Sequence, residues 1–167
     1  MSGYSLCEKL HAAGAKLWVA DINEKVLGQA EHELGAIVVP TESIHAQDVD
    51  IFAPCALGGA INSCSILELK AKIIGGAANN QLATPEMGQA LQKQGILYCP
   101  DYVLNGGGII NVAAELSGSY NADWVDDKLN GLCKTLNEVF TIANQEKLPT
   151  NIIADRMARE RIKAAAV

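Results

Sequence analysis

The sequence predicts an α/β fold in which helices cover both faces of a parallel sheet, and two observations indicate it. First, short β-branched or apolar runs alternate with amphipathic stretches, and these runs occupy residues 16–20, 36–39, 50–54, 71–75 and 96–99. Strands of this length separated by helices of about ten residues are typical of βαβ units. Second, the runs at 50–53 and 71–75 are continuous rather than alternating, as expected for strands that are buried on both faces.

The predicted helices fill the spaces between these strands and then continue alone toward the carboxyl end. Four of them alternate with the strands, at 3–13, 23–34, 62–69 and 84–94. Three more follow residue 108, at 109–117, 123–146 and 151–166. The longest carries an apolar stripe with spacings of mostly three and four, made of Val125, Leu129, Leu132, Leu136, Val139, Phe140 and Ala143. We therefore predict a doubly wound (Rossmann-type) parallel sheet domain at 1–147 and a C-terminal helical extension at 148–167.

Composition limits the classes of function. The chain has 167 residues, 49% apolar and 19% charged, which suits one globular domain with a substantial core. Its net charge of −6 and the absence of a Lys/Arg tract argue against a nucleic-acid partner. No apolar run approaches the roughly 20 residues that cross a bilayer, and residues 1–14 lack a secretory signal, so no membrane partner is expected. The five scattered cysteines form no C-x-x-C pair, which predicts reduced cytoplasmic thiols and no metal site.

Half of a dinucleotide-binding fingerprint opens the chain. Gly3 begins a predicted helix, and Asp21 follows the next strand 18 residues later. In a G-x-G-x-x-G unit the last glycine opens the first helix, and an acid about 20 residues on binds the adenosine ribose. The first two glycines and the first strand would precede Met1, so we expect a sheet that lacks its first strand. A carboxylate here would repel a 2′-phosphate and favour NAD over NADP. Alternatively, Asp21 is only a cap or turn residue.

Three loops follow predicted strands, and ligands of parallel sheets bind beyond the carboxyl ends of the strands. The loops at 53–59, 75–81 and 100–112 combine small residues with amide side chains. Two of these loops also allow a purely structural interpretation. Asn79 and Asn80 could cap a helix, and the glycines at 106–108 could form a flexible turn. Cys55 could be a nucleophile, but no histidine helper motif accompanies it, so a groove-lining thiol is favoured. Cys99 and Cys133 are expected in the core.

These loops resemble those of the glutamate/leucine/phenylalanine/valine dehydrogenase family, and most closely its leucine dehydrogenases. The matching stretches occur in the family's order, at 21–23, 53–58, 78–82, 100–103 and 105–112. The resemblance implies oxidative deamination of an L-amino acid to its 2-oxo acid with NAD as cofactor. It also implies a homo-oligomer.

The resemblance assigns a role to individual residues. Gly3 would face the pyrophosphate of NAD, and Asp21 would bind the adenosine ribose. Asn80 would reach the nicotinamide ribose and the substrate's α-carbon, and Asn105 the carboxamide. The remaining cofactor-binding positions would be Cys55, Ala56, Leu57, Ala78 and Asn79.

The substrate pocket would be closed by Asn80 together with Ile109 and Val112, which lie one helical turn apart. An apolar pocket suits a branched aliphatic amino acid such as leucine and leaves a glutamate carboxylate unpaired. The chain departs from the family at two positions. The family commonly has alanine at the position of Gly106, so a looser turn is expected at 106–108. Leucine-active members often have valine at the position of Ile109, so a slightly smaller pocket, or another apolar amino acid such as phenylalanine or valine, is the alternative.

No catalytic residue is predicted within this chain. In the family, the substrate-binding and water-activating lysines belong to an N-terminal domain that has no counterpart here, so the chain alone is expected to show no turnover. The alternative function is a non-catalytic nucleotide-binding or oligomerisation module.

The absent first strand poses a physical problem. In the usual strand order, 3-2-1-4-5-6, the first strand is central, and its loss leaves two unpaired edges. We considered three outcomes: the strands at 16–20 and 50–54 pair directly, a second copy donates a strand, or the chain is one piece of a longer protein. The isolated chain is expected to self-associate or to be marginally stable.

Overall fold

The structure, a computed structural model, describes residues 2–116 and 121–165 and confirms the predicted fold class. All five predicted strands are present, but each is shorter than expected. They are β1 (Trp18–Val19), β2 (Ile37–Val38), β3 (Ile51–Phe52), β4 (Ile73–Ile74) and β5 (Leu97–Tyr98).

Six of the seven predicted helices are confirmed within a few residues. Residues 117 and 166, the predicted ends of two of them, lie outside the described residues. The short helix α4 directly after β5 was not predicted. The helices are α1 (Ser2–Ala12), α2 (Glu24–Leu34), α3 (Glu86–Lys93), α4 (Asp101–Leu104), α5 (Gly107–Leu116), α6 (Ala122–Glu146) and α7 (Thr150–Ala165).

The helix predicted at 62–69 is wrong, because only a single 3₁₀ turn forms there, at Ser65–Leu67. Asn62 Oδ1 accepts hydrogen bonds from the backbone N–H groups of Cys64 and Ser65, at 2.9 and 3.0 Å. Ser65 Oγ donates to the Ala60 carbonyl at 2.7 Å. Such local side-chain bonds offer the backbone an alternative to the helical ladder. A second 3₁₀ turn, at Ile44–Ala46, precedes β3.

The strands form two separate parallel sheets, in the orders β1-β2 and β3-β4-β5. Together they give the doubly wound order with a gap where the central first strand is expected. Within the described residues, no backbone hydrogen bond joins β1 to β3, so direct pairing, the first of the three outcomes, does not occur.

The backbone groups on both sides of this gap point into it. On β1, the carbonyls of Leu17 and Val19 accept hydrogen bonds from the β2 side, so the alternate residue Trp18 directs its N–H and C=O to the other edge. On β3, the carbonyls of Asp50 and Phe52 accept from the β4 side, so Ile51 is directed to the gap. Each sheet therefore has an unpaired inner edge.

Each sheet has its own hydrophobic core. The small sheet packs Leu17 and Ala36 against Ala30 of α2 and the apolar face of α1. The large sheet packs Phe52, Ile74 and Tyr98 against α3 and the 3₁₀ turn at Ser65–Leu67, through a cluster that also includes Ile61, Ile66, Ala71 and Leu91. A third cluster joins α4, α6 and α7 through Val103, Val139, Ala143, Ile153 and Ala154.

Two cysteines predicted in the core differ in environment. Cys99 is buried as expected, but the prediction for Cys133 is wrong, because its side chain is exposed on α6. Position 133 is one residue beyond Leu132 and so falls off the apolar stripe. Within the described residues, no helix combines the length and apolar character needed to cross a bilayer.

Candidate functional site

The amino-terminal end of α1 lies against the loop that follows β3. A Cβ atom placed on Gly3 would be 3.5 Å from Cys55 Cβ, so these two predicted site residues are neighbours. One turn further along α1, burial raises the pKa of the Cys7 thiol, and the nearby Cys55 adds to the increase. The first turn of α1 contains no acidic side chain that would compete with a bound anion.

The loops after β3 and β4 are tied together by backbone contacts. The Ala78 N–H donates to the Pro54 carbonyl at 2.9 Å, and the Gly59 N–H donates to the Asn80 carbonyl at 2.7 Å. A Cβ on Gly76 would collide with the Pro54 carbonyl oxygen, so glycine is required for this close approach.

The loops after β4 and β5 are joined by side chains. Asn105 Nδ2 donates to Asn79 Oδ1 at 2.7 Å and to the Ala78 carbonyl at 3.5 Å. The structure therefore brings Ala78, Asn79 and Asn105 together at the carboxyl edge of the large sheet. It links them through Pro54 to Cys55 and Gly3.

Asn80 lies between these contacts with its side chain exposed. Its φ of +53° is left-handed, a conformation that asparagine adopts more readily than most residues. The helix-cap alternative for Asn79 and Asn80 is wrong, because α3 begins only at Glu86 and Pro85 occupies its cap position. Within the described residues, the Asn80 side chain makes no hydrogen bond, so its amide is open to a ligand.

Two buried polar residues at this edge, Gln81 and Asp101, had not been assigned a role. Gln81 is 0% and Asp101 8% exposed. Asp101 Oδ2 accepts from the Gln81 backbone N–H at 3.0 Å, and Oδ1 accepts from the Tyr102 N–H at 2.8 Å. Burial, and then the Asp101 charge, raise the pKa of the neighbouring Tyr98 phenol. Two signals in the sequence pointed to them: both residues lie in loops that follow predicted strands, and both lie within the stretches at 78–82 and 100–103 that resemble the dehydrogenase family. Their burial was not expected, since such polar residues are usually exposed.

Asp21 lies two residues beyond the end of β1 on the small sheet, and no contact among the described residues joins it to Asn80 or Asn105. Its Oδ1 accepts from the Asn23 N–H at 2.9 Å. The helix cap of α2 is Asn23, whose Oδ1 accepts from the N–H groups of Lys25 and Val26. Asp21 is therefore not the cap, but its bond to the Asn23 N–H makes it a turn residue, as the second part of the alternative predicted. Its Oδ2 has no partner within the described residues.

The two predicted pocket residues on α5 are accessible: Ile109 is 75% and Val112 50% exposed. In the loop after β3, Ala56 is exposed and Leu57 is 84% exposed. Gly106 and Gly107 are close-packing positions rather than a loose turn, since a Cβ on either would lie 3.2–3.3 Å from leucine side chains of α6.

A cavity of about 430 Å³ lies on the opposite edge of the large sheet. It is lined by residues that precede β4 and β5, among them Lys70, Lys72 and Ile96. Lys72 Nζ is paired with Asp50 Oδ1 at 2.8 Å. This cavity is remote from the loops described above. Within the described residues, no group of three His, Cys, Asp or Glu side chains could hold a metal ion.

Comparison with known proteins identifies a family that the chain matches over most of its length. A family model described as glutamate/leucine/phenylalanine/valine dehydrogenase matches residues 9–166. A leucine dehydrogenase from Geobacillus stearothermophilus is 49% identical over 160 residues, which are 96% of this chain and 43% of the relative. A leucine dehydrogenase from Bacillus subtilis is 47% identical, with 96% and 44% covered.

The crystal structure of L-tryptophan dehydrogenase from Nostoc punctiforme superposes with a TM-score of 0.92 at 44% identity, covering 97% of this chain and 49% of that chain. The chain thus spans less than half the length of the curated relatives it matches.

Proposed function

Because the chain belongs to the glutamate/leucine/phenylalanine/valine dehydrogenase family, we propose that it is the NAD-binding portion of an amino-acid dehydrogenase. The reaction is the oxidative deamination of a branched-chain L-amino acid, such as leucine, to its 2-oxo acid. The observation that carries this proposal is the family match over residues 9–166. The matched residues include the three loops that follow β3, β4 and β5. Bound NAD would supply the hydride acceptor for this reaction.

The available hydrogen-bonding groups fit a dinucleotide. The amino-terminal end of α1 offers N–H groups, with no acid in the first turn, to a diphosphate. The unpaired Asp21 Oδ2 can accept from a ribose hydroxyl. The Asn80 side-chain amide makes no hydrogen bond with a described residue and can bind the ligand. Asn105 Nδ2 donates to Asn79, and its Oδ1 can accept a hydrogen bond from the carboxamide N–H of the nicotinamide.

In this arrangement Cys55, Ala56 and Leu57 form one wall of the cofactor groove, and Ala78 and Asn79 form the other. The exposed side chains of Ile109 and Val112 give the substrate an apolar contact. Such a contact stabilises an aliphatic side chain and leaves a charged one desolvated. We assign no catalytic group to the chain, so the groups that bind the substrate carboxylate and transfer protons must come from elsewhere in the enzyme.

The similarity to a tryptophan dehydrogenase makes another apolar L-amino acid the second candidate substrate. We also propose a homo-oligomer, as is expected of an enzyme of this family. The residues at 148–167 would pack toward the remainder of the enzyme. A cytoplasmic location is proposed on the ground of five free cysteines.

Calorimetric titration of the purified chain with NAD and NADP tests the proposal. We expect NAD to bind more tightly than NADP, and Asp21→Ala to weaken NAD binding by about three- to tenfold, the equivalent of one hydrogen bond. Asp126→Ala, which removes an exposed acid from α6, is the matched control and should leave both affinities unchanged. Equal effects of the two substitutions would contradict the assignment of Asp21.

A further inference from the structure

Helix α4 holds the loop after β4 at both of its ends. At its first residue, the Asp101 carboxylate accepts the Gln81 N–H at 3.0 Å. Just beyond its last residue, Asn105 Nδ2 binds Asn79 Oδ1 at 2.7 Å. Because a one-turn helix is short, the distance between the two hydrogen-bonding side chains, Asp101 and Asn105, is nearly fixed. The loop from 79 to 81 is therefore clamped at two points.

The Gln81 side chain closes the same loop from inside. Its Nε2 donates to the Gly76 carbonyl at 2.7 Å and to the Ala78 carbonyl at 3.0 Å. The side chain is fully buried, and its Oε1 has no partner within the described residues. Burying an amide with one oxygen unpaired is costly. The loop geometry that this residue imposes must offset that cost.

Asn80 is the one residue of the loop that these contacts enclose without touching its side chain. Its left-handed backbone, with φ of +53°, is unfavourable for most residues and persists only where surrounding contacts hold it. Those contacts are the hydrogen bond from the Gly59 N–H to its carbonyl and the two hydrogen bonds that hold residues 79 and 81 to α4 and Asn105. The direction of the Asn80 amide is thus set by its neighbours.

We propose that Gln81 and Asp101 are positioning residues that set the affinity of the site for the nicotinamide half of NAD. They act through Asn80 and Asn105 and do not touch the ligand. This inference rests on the proposed function. Asp21 and Gly3 are the positions proposed for the other half of the dinucleotide, and within the described residues neither makes a direct hydrogen bond with Gln81, Asp101 or Asn105. We therefore expect the effect to be confined to one half of the ligand.

The test compares NAD with ADP, which lacks both the nicotinamide and the ribose attached to it. In Gln81→Ala, we expect NAD binding to weaken about three- to tenfold, the equivalent of one net hydrogen bond, with ADP binding unchanged. Asp101→Asn should act in the same direction, because an amide can present only one acceptor to the two N–H groups that the carboxylate now binds. It serves as the deciding variant if Gln81→Ala does not fold.

The chain offers a matched control in Asn151, a half-buried amide on α7 whose Oδ1 is buried. Its Nδ2 donates to the Pro85 carbonyl at 3.2 Å, and its Oδ1 likewise has no partner within the described residues. Asn151→Ala removes a comparable side chain away from the clamp and should leave both affinities unchanged.

Nuclear magnetic resonance of the ligand-free chain gives a second readout. The Asn80 backbone and the Asn105 side-chain amide resonances should shift in Gln81→Ala and Asp101→Asn but not in Asn151→Ala. Equal weakening of NAD and ADP, or unmoved resonances, would overturn the inference. A wild-type chain that binds neither ligand would instead refute the proposed function, and the resonances alone would then decide whether the clamp sets Asn80.

Discussion

Replacing Gly76 with alanine tests whether the loops after β3 and β4 must touch. The added Cβ would lie 2.5 Å from Pro54 N and 2.7 Å from the Ala53 carbonyl carbon, as well as against the Pro54 carbonyl oxygen. All three obstacles are backbone atoms, which cannot rotate away as a side chain can. The two loops must therefore separate.

The cost of this separation follows from two effects. Overpacking costs about 1–3 kcal/mol, and separating the loops also breaks the Ala78–Pro54 hydrogen bond, worth about 1 kcal/mol. We expect Gly76→Ala to lower the free energy of unfolding by about 2–4 kcal/mol. For a chain of this size, that corresponds to a fall in Tm of roughly 5–15 °C.

Urea and thermal unfolding followed by circular dichroism measure the effect. Gly28→Ala is the matched control, because Gly28 lies within α2 and a Cβ there meets nothing within 4 Å. In a helix interior, that substitution should stabilise the protein by about 0.5–1 kcal/mol. If Gly76→Ala lies within about 1 kcal/mol of the wild type, the loops are not held as closely as described.

Three further predictions concern charge, association and activity. The hydrogen bond from Arg156 lowers the pKa of Glu146 below its ordinary value of 4.5. The stability that this pair contributes is therefore present above pH 4.5 and is lost as the pH falls through the lowered pKa. The urea midpoints of wild type and Glu146→Gln should converge in acid, and a difference that stays constant with pH would contradict this. The isolated chain should sediment as a species heavier than its 17.7 kDa monomer, because both sheets have an unpaired inner edge; a stable monomer at micromolar concentration would count against it. Leucine and NAD together should give no increase in absorbance from reduced NAD with the chain alone, whereas turnover at the rate of an ordinary enzyme would show that catalytic groups had been overlooked.

The strands could be predicted because each is a short apolar run bounded by polar or small residues. The expected burial on both faces holds for the middle strand β4, where Ile74 is fully buried, but is wrong for β3, where Ile51 borders the gap and is 50% exposed. The helix expected at 62–69 failed because its apolar spacing is helical while Asn62 and Ser65 bind the local backbone instead. Periodicity records which face is apolar but not which local hydrogen bonds compete with the helix.

For the site, the sequence identified the loops but not what holds them. Asn79 and Asn105 were singled out as polar residues next to small ones, yet their mutual hydrogen bond spans 26 residues. The backbone N–H of the buried Gln81 donates to the Asp101 carboxylate, 20 residues away. Contacts at such separations arise from the arrangement of the strands in the sheet, and no local pattern encodes them.

The division of the molecule into two hydrophobic cores has a consequence for its dynamics. The core of the small sheet is built on only three buried residues, Leu17, Ala30 and Ala36, so this half should open at a lower free energy than the half around β4. Gly3 and Asp21 belong to the less stable half, and Asn80 and Asn105 to the more stable one. A dinucleotide that reaches from Asp21 to Asn80 would act as a tether between two folding units, and so would make their unfolding more cooperative.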